Sequence, residues 1–338
     1  MNGFVQMSKY AGMREDLVQA GGGNSSVKLS ENKMAVKASG VQMSELTDQY
    51  GYSIVDSSII RDYFLDKGKR KGLTEKDGAE ILQKSLIEGM KPSIETFLHA
   101  TLNKYTLHTH PIVVNALVCR SDWENEVKAL FPLATTIPYA SPGVDLAKEY
   151  YERIGNTSGD ETVVVFLKNH GLVISGNTAE EVIAETEKVV RKIEEYLHVD
   201  MEDYHASTDI WKVYPGKVAW KVKDNDVIDY YQENGIWNYA FCPDCVVFLG
   251  MKVKEIDSDL GLEVPEYSNN EEPVLITKKN ALYVLADNLK KAREIESVLS
   301  FSAQVSKMNK NISCDFLSTD EQLHLLHRDD EKYRKMMK

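Results

Sequence analysis

The chain has 338 residues, 43% hydrophobic and 27% charged, with 40 Lys and Arg against 52 Asp and Glu and a net charge of −12. That composition supports one large domain or two ordinary ones, and its acidic balance argues against general nucleic-acid binding, which demands a basic surface. No stretch approaches the roughly 18 unbroken apolar residues of a membrane helix, MNGFVQMSKYAGMRED at the start lacks the apolar heart of a signal peptide, and four cysteines make no disulfide framework in so long a chain, so the expectation is a reduced, cytoplasmic protein with no membrane partner.

In chain order, EDLVQAGGGNSSVKL reads as the end of a helix, a glycine-rich turn and a strand. KMAVKASG reads as a second strand closing in a turn. DGAEILQKSLIEGM carries apolar residues at helical spacing, and SIETFLHATLNKY reads as a further helix with Ser93 placed to cap it. TLHTHPIVVNAL begins as a strand and continues into a helix. ETVVVFLKNHGLVISG gives two strands about a tight turn at 169–171. TAEEVIAETEKVVRKIEEYLHV is a long amphipathic helix capped by Thr178, with acidic residues in its first turn. Near residue 200 the composition turns polar and aromatic with weak periodicity. CVVFLG, PVLIT and ALYVLA follow as three short strand-like runs, then a helical stretch from about 289 to 306 and a charged amphipathic helix at the end. The class is mixed α/β throughout, with one domain expected over 1–205 and a smaller α/β domain or extension over 206–338.

The residues that carry chemistry lie in the first part. His108 and His110 stand at i and i+2 of a strand-like run, so both point to one face and can converge on one metal ion. A catalytic zinc site takes three protein ligands and keeps an open position. His170, after the apolar run TVVVFL, is the candidate third ligand. Glu95 lies upstream on a helix, where it is either an acid/base group beside the metal or a first-turn glutamate complementing the helix dipole. His99 shares its face and is assigned a supporting role. GGGNSSVK over 21–28 places glycines and hydroxyls where backbone N–H groups approach an anion, and neither a Walker A nor a dinucleotide fingerprint is present. The turn in KASG and the Ser93 hydroxyl add two more anion contacts. Lys28 and Lys37 are either the positive charge of that pocket or solvated strand-edge residues. Cys242 and Cys245 form a C-x-x-C without the second pair a zinc ribbon needs, and read as ordinary small residues beside a strand.

The ordered set GGGNSS, KASG, PSIET, HTHP, PYASPG and NHGLVISG resembles the class II sugar-phosphate aldolase family, which includes ribulose-phosphate 4-epimerases and adducin-like domains. The resemblance spans roughly 5–200, and its wording is most like the aldolase half of rhamnulose-phosphate aldolase/dehydrogenase fusion proteins, although no glycine-rich dinucleotide turn follows residue 200. It implies a three-layer α/β/α sandwich with a mostly antiparallel central sheet, and a homo-oligomer, a tetramer with sites at subunit boundaries. It implies a divalent cation, Zn2+ or another, on His108, His110 and His170, and Glu95 as acid/base. Gly23, Asn24, Ser26, Ser39, Gly40 and Ser93 become the contacts of a sugar phosphate, and Tyr139 a proton donor acting from a neighbouring subunit. The implied reaction is cleavage of a ketose 1-phosphate to dihydroxyacetone phosphate and an aldehyde through a metal-stabilised enediolate. A 4-epimerase, decarboxylase or dehydratase reaction on the same site, a non-catalytic adducin-like module and a non-phosphorylated substrate remain as alternatives. Ile94 stands where fuculose-phosphate aldolases carry a second serine, so one phosphate contact is expected to differ.

Overall fold

Short runs such as NSSVK, KMAVK and YSIVD, in which apolar and small polar residues alternate, become the first strands of the computed structural model, which describes residues 1–155, 161–214, 216–234, 240–251, 253–257, 274–278 and 281–326. The chain divides into two compact units, Met1–Met201 and Glu202–Lys338.

The first unit runs α1 (Asn2–Met13), β1 (Asn24–Lys28), β2 (Lys33–Lys37), β3 (Tyr52–Asp56), α2 (Ser57–Phe64), α3 (Lys67–Gly72), α4 (Glu75–Ser85), β4 (Leu86–Gly89), α5 (Thr96–His99) and β5 (Tyr105–Thr109). It continues with α6 (Ile112–Val118), α7 (Trp123–Leu130), β6 (Thr135–Ile137), α8 (Val144–Arg153), β7 (Val163–Leu167), β8 (Gly171–Gly176) and α9 (Ala179–Leu197). Eight strands form one sheet in the order β4-β3-β2-β1-β5-β8-β7-β6. Every neighbouring pair is antiparallel except β6 with β7.

Side-chain alternation assigns the two faces. Val27, Ala35 and Ile54 stand opposite one another across β1, β2 and β3 and pack with Phe4 of α1. Helices α6 and α9 extend that layer over β8. On the other face Val165 and Val173 join Phe64, Ile81, Phe97 and Tyr150 from α2, α4, α5 and α8. The result is the expected three-layer sandwich with a mostly antiparallel sheet. Arg14, wholly buried after α1, pairs with Asp16 and with Glu187 of α9. This tie fixes the loop that leads into the glycine-rich turn.

The second unit runs α10 (Glu202–Val213), β9 (Val218–Lys221), α11 (Asn225–Asn234), α12 (Pro243–Leu249), β10 (Lys254–Asp257), β11 (Val274–Lys278), β12 (Ala281–Ala286), α13 (Leu289–Met308) and α14 (Thr319–Leu326). Among the described residues four strands make its sheet, in the order β10-β11-β12-β9. Ile210 of α10 and Tyr214 just after it pack on Ala219, Ile276, Tyr283 and Leu285 of that sheet.

Three local expectations change. SIETFLHATLNKY yields a single helical turn, α5, because Ala38 and Pro92 form a bridge that holds the chain just ahead of it extended. The helix over DGAEILQKS stops at Ser85, and Leu86 opens the edge strand β4. CVVFLG is helical: Pro243 occupies the first turn of α12, where its missing N–H costs nothing. The C-terminal run is helical over Thr319–Leu326, and the rest of it lies outside the described residues. Among the described residues no helix is long and apolar enough to cross a membrane.

Candidate functional site

His108 sits near the end of β5, opposite Asn24 of β1 and Val173 of β8, so all three face the layer that contains α5. β5 ends at Thr109, and His110 follows with its backbone N–H donating to the carbonyl of Leu17 at 2.8 Å. Ile112 donates likewise to Asp16 at 2.9 Å. The loop anchored by Arg14 therefore sets where the second histidine stands. His170 occupies the tight turn between β7 and β8, where Asn169 takes a left-handed φ of 52°. Gly171 is required beside it, since a Cβ there would lie 2.2 Å from the Thr109 carbonyl.

These elements bring the three imidazoles together. His108 Nε2 lies 3.1 Å from His110 Nε2 and 3.2 Å from His170 Nε2. Two imidazole nitrogens bound tetrahedrally to one zinc ion at about 2.0–2.1 Å stand roughly 3.3 Å apart, so the spacing fits a shared cation. The tautomer fits as well. His108 Nδ1 is 3.0 Å from the Leu172 carbonyl, which only accepts, so Nδ1 carries a proton and Nε2 is the nitrogen that would bind a cation once it gives up its own. Burial, followed by the charges of His108 and His170, pushes His110 down to about 3, which leaves the ring neutral at neutral pH, with one nitrogen carrying a proton and the other offering a lone pair. Among the described residues, this triad is the grouping of three or more candidate ligands able to hold a metal ion.

Glu95 precedes α5 and reaches the same point. Its Oε1 is 3.1 Å from His170 Nε2 and 3.5 Å from His108 Nε2. Burial alone would raise its pKa, but the charges and hydrogen bonds of His108 and His170 outweigh burial and hold it well below the usual range. Burial by itself would lower His108, yet the Glu95 carboxylate lifts it above the ordinary value. His99, one turn after Glu95 and fully buried, is held neutral, chiefly by burial, with its pKa down to about 3. Its Nδ1 lies 2.7 Å from the Ser26 hydroxyl and ties α5 to β1.

Backbone pairing and one lysine link the two turns that carry the expected anion contacts. The bridge between Ala38 and Pro92, with Ser39 N–H donating to the Lys91 carbonyl at 2.9 Å, sets the exposed Ser39–Gly40 turn beside Ser93. The ammonium group of Lys37, 2% exposed, donates to the Val41 carbonyl at 2.6 Å and approaches the carbonyls of Ala38 and Gly21 at 3.3 and 3.5 Å. One buried cation thus ties the Ser39–Gly40 turn to the glycine-rich turn. Lys28 instead bonds the Leu102 carbonyl at the far end of β1. Asn24 is 1% exposed and its Nδ2 has no partner among the described residues. A buried amide donor left open is costly unless a ligand or water accepts from it.

Gly23 has φ +71°, and a Cβ there would lie 2.6 Å from Val18 Cγ1 and 2.8 Å from the His108 carbonyl. Gly23→Ala is expected to cost about 2–4 kcal/mol, combining left-handed backbone strain with overpacking. Urea denaturation monitored by circular dichroism would measure it, and a change within 0.5 kcal/mol, roughly that of an ordinary surface substitution, would refute this account of the turn.

Tyr139 is not gathered with the others. It follows β6, three strands along from β5, roughly 14 Å away at ordinary strand spacing, and is 62% exposed. The backbone partners of the site, the carbonyls of Leu172 and Leu17, carry no side-chain signal that sequence reading could have used. Asn24 was legible as part of the turn, but its open amide was not.

Residues 3–197 match the family described as class II aldolase and adducin N-terminal domain. A curated Bacillus subtilis protein named uncharacterized oxidoreductase YuxG is 28% identical over 207 residues, covering 58% of this chain. The match spans only 29% of that relative's length. Among solved structures, the N-terminal class II aldolase domain of a conserved Thermoplasma acidophilum protein is 25% identical with a TM-score of 0.51, covering 57% of this chain and 92% of that one. An L-fuculose-1-phosphate aldolase from Thermus thermophilus is more remote, at 17% identity and a TM-score of 0.38, covering 58% and 92%.

Proposed function

The chain belongs to the class II aldolase and adducin family, and from that premise we propose that it is a metal-dependent carbon–carbon lyase that cleaves a ketose 1-phosphate to dihydroxyacetone phosphate and an aldehyde. The observation that carries the proposal is the meeting of three imidazole nitrogens with one largely buried carboxylate. Adducin-like modules without catalysis have no use for this set.

His108, His110 and His170 would hold the cation, with zinc the first choice for three nitrogen ligands. Such an ion, when bound, polarises a carbonyl and favours negative charge on its oxygen. Glu95 then moves a proton at the carbon next to that carbonyl, which a carboxylate held ionised is fitted to do. Asn24 Nδ2, the Ser39–Gly40 turn and Ser93 receive the phosphate, while Gly23 gives the turn its shape and Ser26 supports it through His99. Lys37 supplies the buried positive charge and keeps the two turns in register. Tyr139, exposed and remote from its own histidines, is assigned to a neighbouring subunit's site, where it donates to the aldehyde oxygen; the working assembly is then a homo-oligomer, a tetramer. The likeness to the aldolase half of aldolase/dehydrogenase fusion proteins belongs to this proposal and would make a deoxyhexulose phosphate the first substrate to try.

The test is a screen of ketose 1-phosphates with zinc-loaded protein, with released dihydroxyacetone phosphate read by a coupled reductase. Release from at least one substrate, abolished by chelation, is the expected result. Turnover that yields an epimer, a decarboxylated product or a dehydrated one would move the assignment to a sister reaction. No turnover of any phosphate, with metal fully loaded, would overturn it.

A further inference from the structure

The C-x-x-C of the second unit is not absorbed by the site above. Cys242 caps α12 and is part-exposed, whereas Cys245, in its first turn, is 2% exposed. Their sulfurs are 3.8 Å apart, in contact. Forming a bond of about 2.05 Å requires closing by roughly 2 Å, within reach of side-chain rotation. Cys245 Sγ also lies 3.4 Å from Ser302 Oγ of α13. The Ser302 hydroxyl donates to the Val298 carbonyl at 2.9 Å, so in this contact the thiol is the donor and Ser302 the acceptor. The pair belongs to no grouping of three or more metal-ligating side chains among the described residues, which leaves it short of a structural zinc site.

We propose that Cys242 and Cys245 form a reversible dithiol–disulfide site that exchanges with low-molecular-weight disulfides, with Cys242 as the attacking thiol and Cys245 as the resolving one. Exposure fixes the order, since only Cys242 is open to an external reagent. The Cys242 thiolate attacks one sulfur of the incoming disulfide, forms a mixed disulfide and expels the other half as a thiolate. Cys245 then loses its proton to solvent and attacks the Cys242 sulfur, expelling the second half. Two protein thiols are oxidised and one external disulfide is reduced to two thiols, with no other oxidant required. Burial pushes the Cys242 thiol up, so exchange is slow at neutral pH and quickens as the pH rises. The thiol–Ser302 contact exists only in the reduced form and holds the balance toward the dithiol.

The test uses the full chain with Cys119→Ser and Cys314→Ser, so that only this pair titrates, equilibrated with defined ratios of reduced and oxidised glutathione. Intact mass should fall by two hydrogens with no adduct retained, and reductant should restore it. Adding Cys245→Ser should trap one glutathione on Cys242, whereas adding Cys242→Ser should leave Cys245 unmodified. Ser302→Ala should raise the disulfide-to-dithiol ratio at fixed glutathione by about twofold or more, the size of a weak hydrogen bond. Survival of both thiols in excess oxidised glutathione, or equal labelling of Cys242 and Cys245 in the two single variants, would overturn the proposal. So would a soft metal ion held by the reduced pair and lost in Cys242→Ser.

Discussion

His108→Ala is expected to strip the metal from the protein, lowering affinity by more than about a hundredfold, since altering even the outer partners of a zinc ligand costs 10–100-fold. The reason is position. His108 Nε2 is the hub of the cluster, within 3.1–3.5 Å of His110, His170 and Glu95. It is wholly buried and oriented by the Leu172 carbonyl, so neither solvent nor a neighbour can replace it. Its backbone remains paired in β5, which should keep the fold. Elemental analysis after dialysis reads the result: about one zinc per chain in the parent protein and almost none in the variant. His324→Ala, exposed on α14 of the other unit, should retain metal. Full occupancy in His108→Ala would mean the triad is not the ligand set, and the lyase proposal would fall with it.

The site was more legible than its surroundings because its residues obey local rules. His108 and His110 share a face by strand alternation, and the N-H-G turn requires a left-handed residue and a glycine. Long-range ties were harder to read. Lys28 and Lys37 look alike in sequence, yet one bonds the Leu102 carbonyl and the other joins the Ser39–Gly40 turn to the glycine-rich turn, because β1 runs away from the site and β2 runs back toward it. The helix expected across SIETFLHATLNKY failed for a similar reason. Its propensity is local, but a bridge to residue 38 and the sheet position of β5 claim both ends of the segment. In the second unit the apolar run CVVFLG fits a buried strand or a short helix equally well by periodicity, and Pro243 was the arbiter.

The second large effect should come from Glu95→Gln, with turnover down about a thousandfold, within the 10²–10⁴ that general acid–base catalysis contributes, and the fold unchanged. Glutamine keeps the shape and the hydrogen-bonding reach of the side chain but cannot accept a proton. The distinction matters here because Glu95, 11% exposed, is held ionised against its burial by two histidines, which is the state a proton acceptor needs. Its Oε1 also stands as close to His108 and His170 as an imidazole ligand would, so a role as a fourth metal ligand competes with the acid/base role. The two roles predict different measurements. A proton-transfer group gives normal zinc content, a nearly unchanged KM and a collapsed kcat. A metal ligand gives lost zinc, with activity restored by raising the zinc concentration. Normal kcat with normal zinc would exclude both roles and leave Glu95 as a buried counter-charge that keeps the unloaded histidines together.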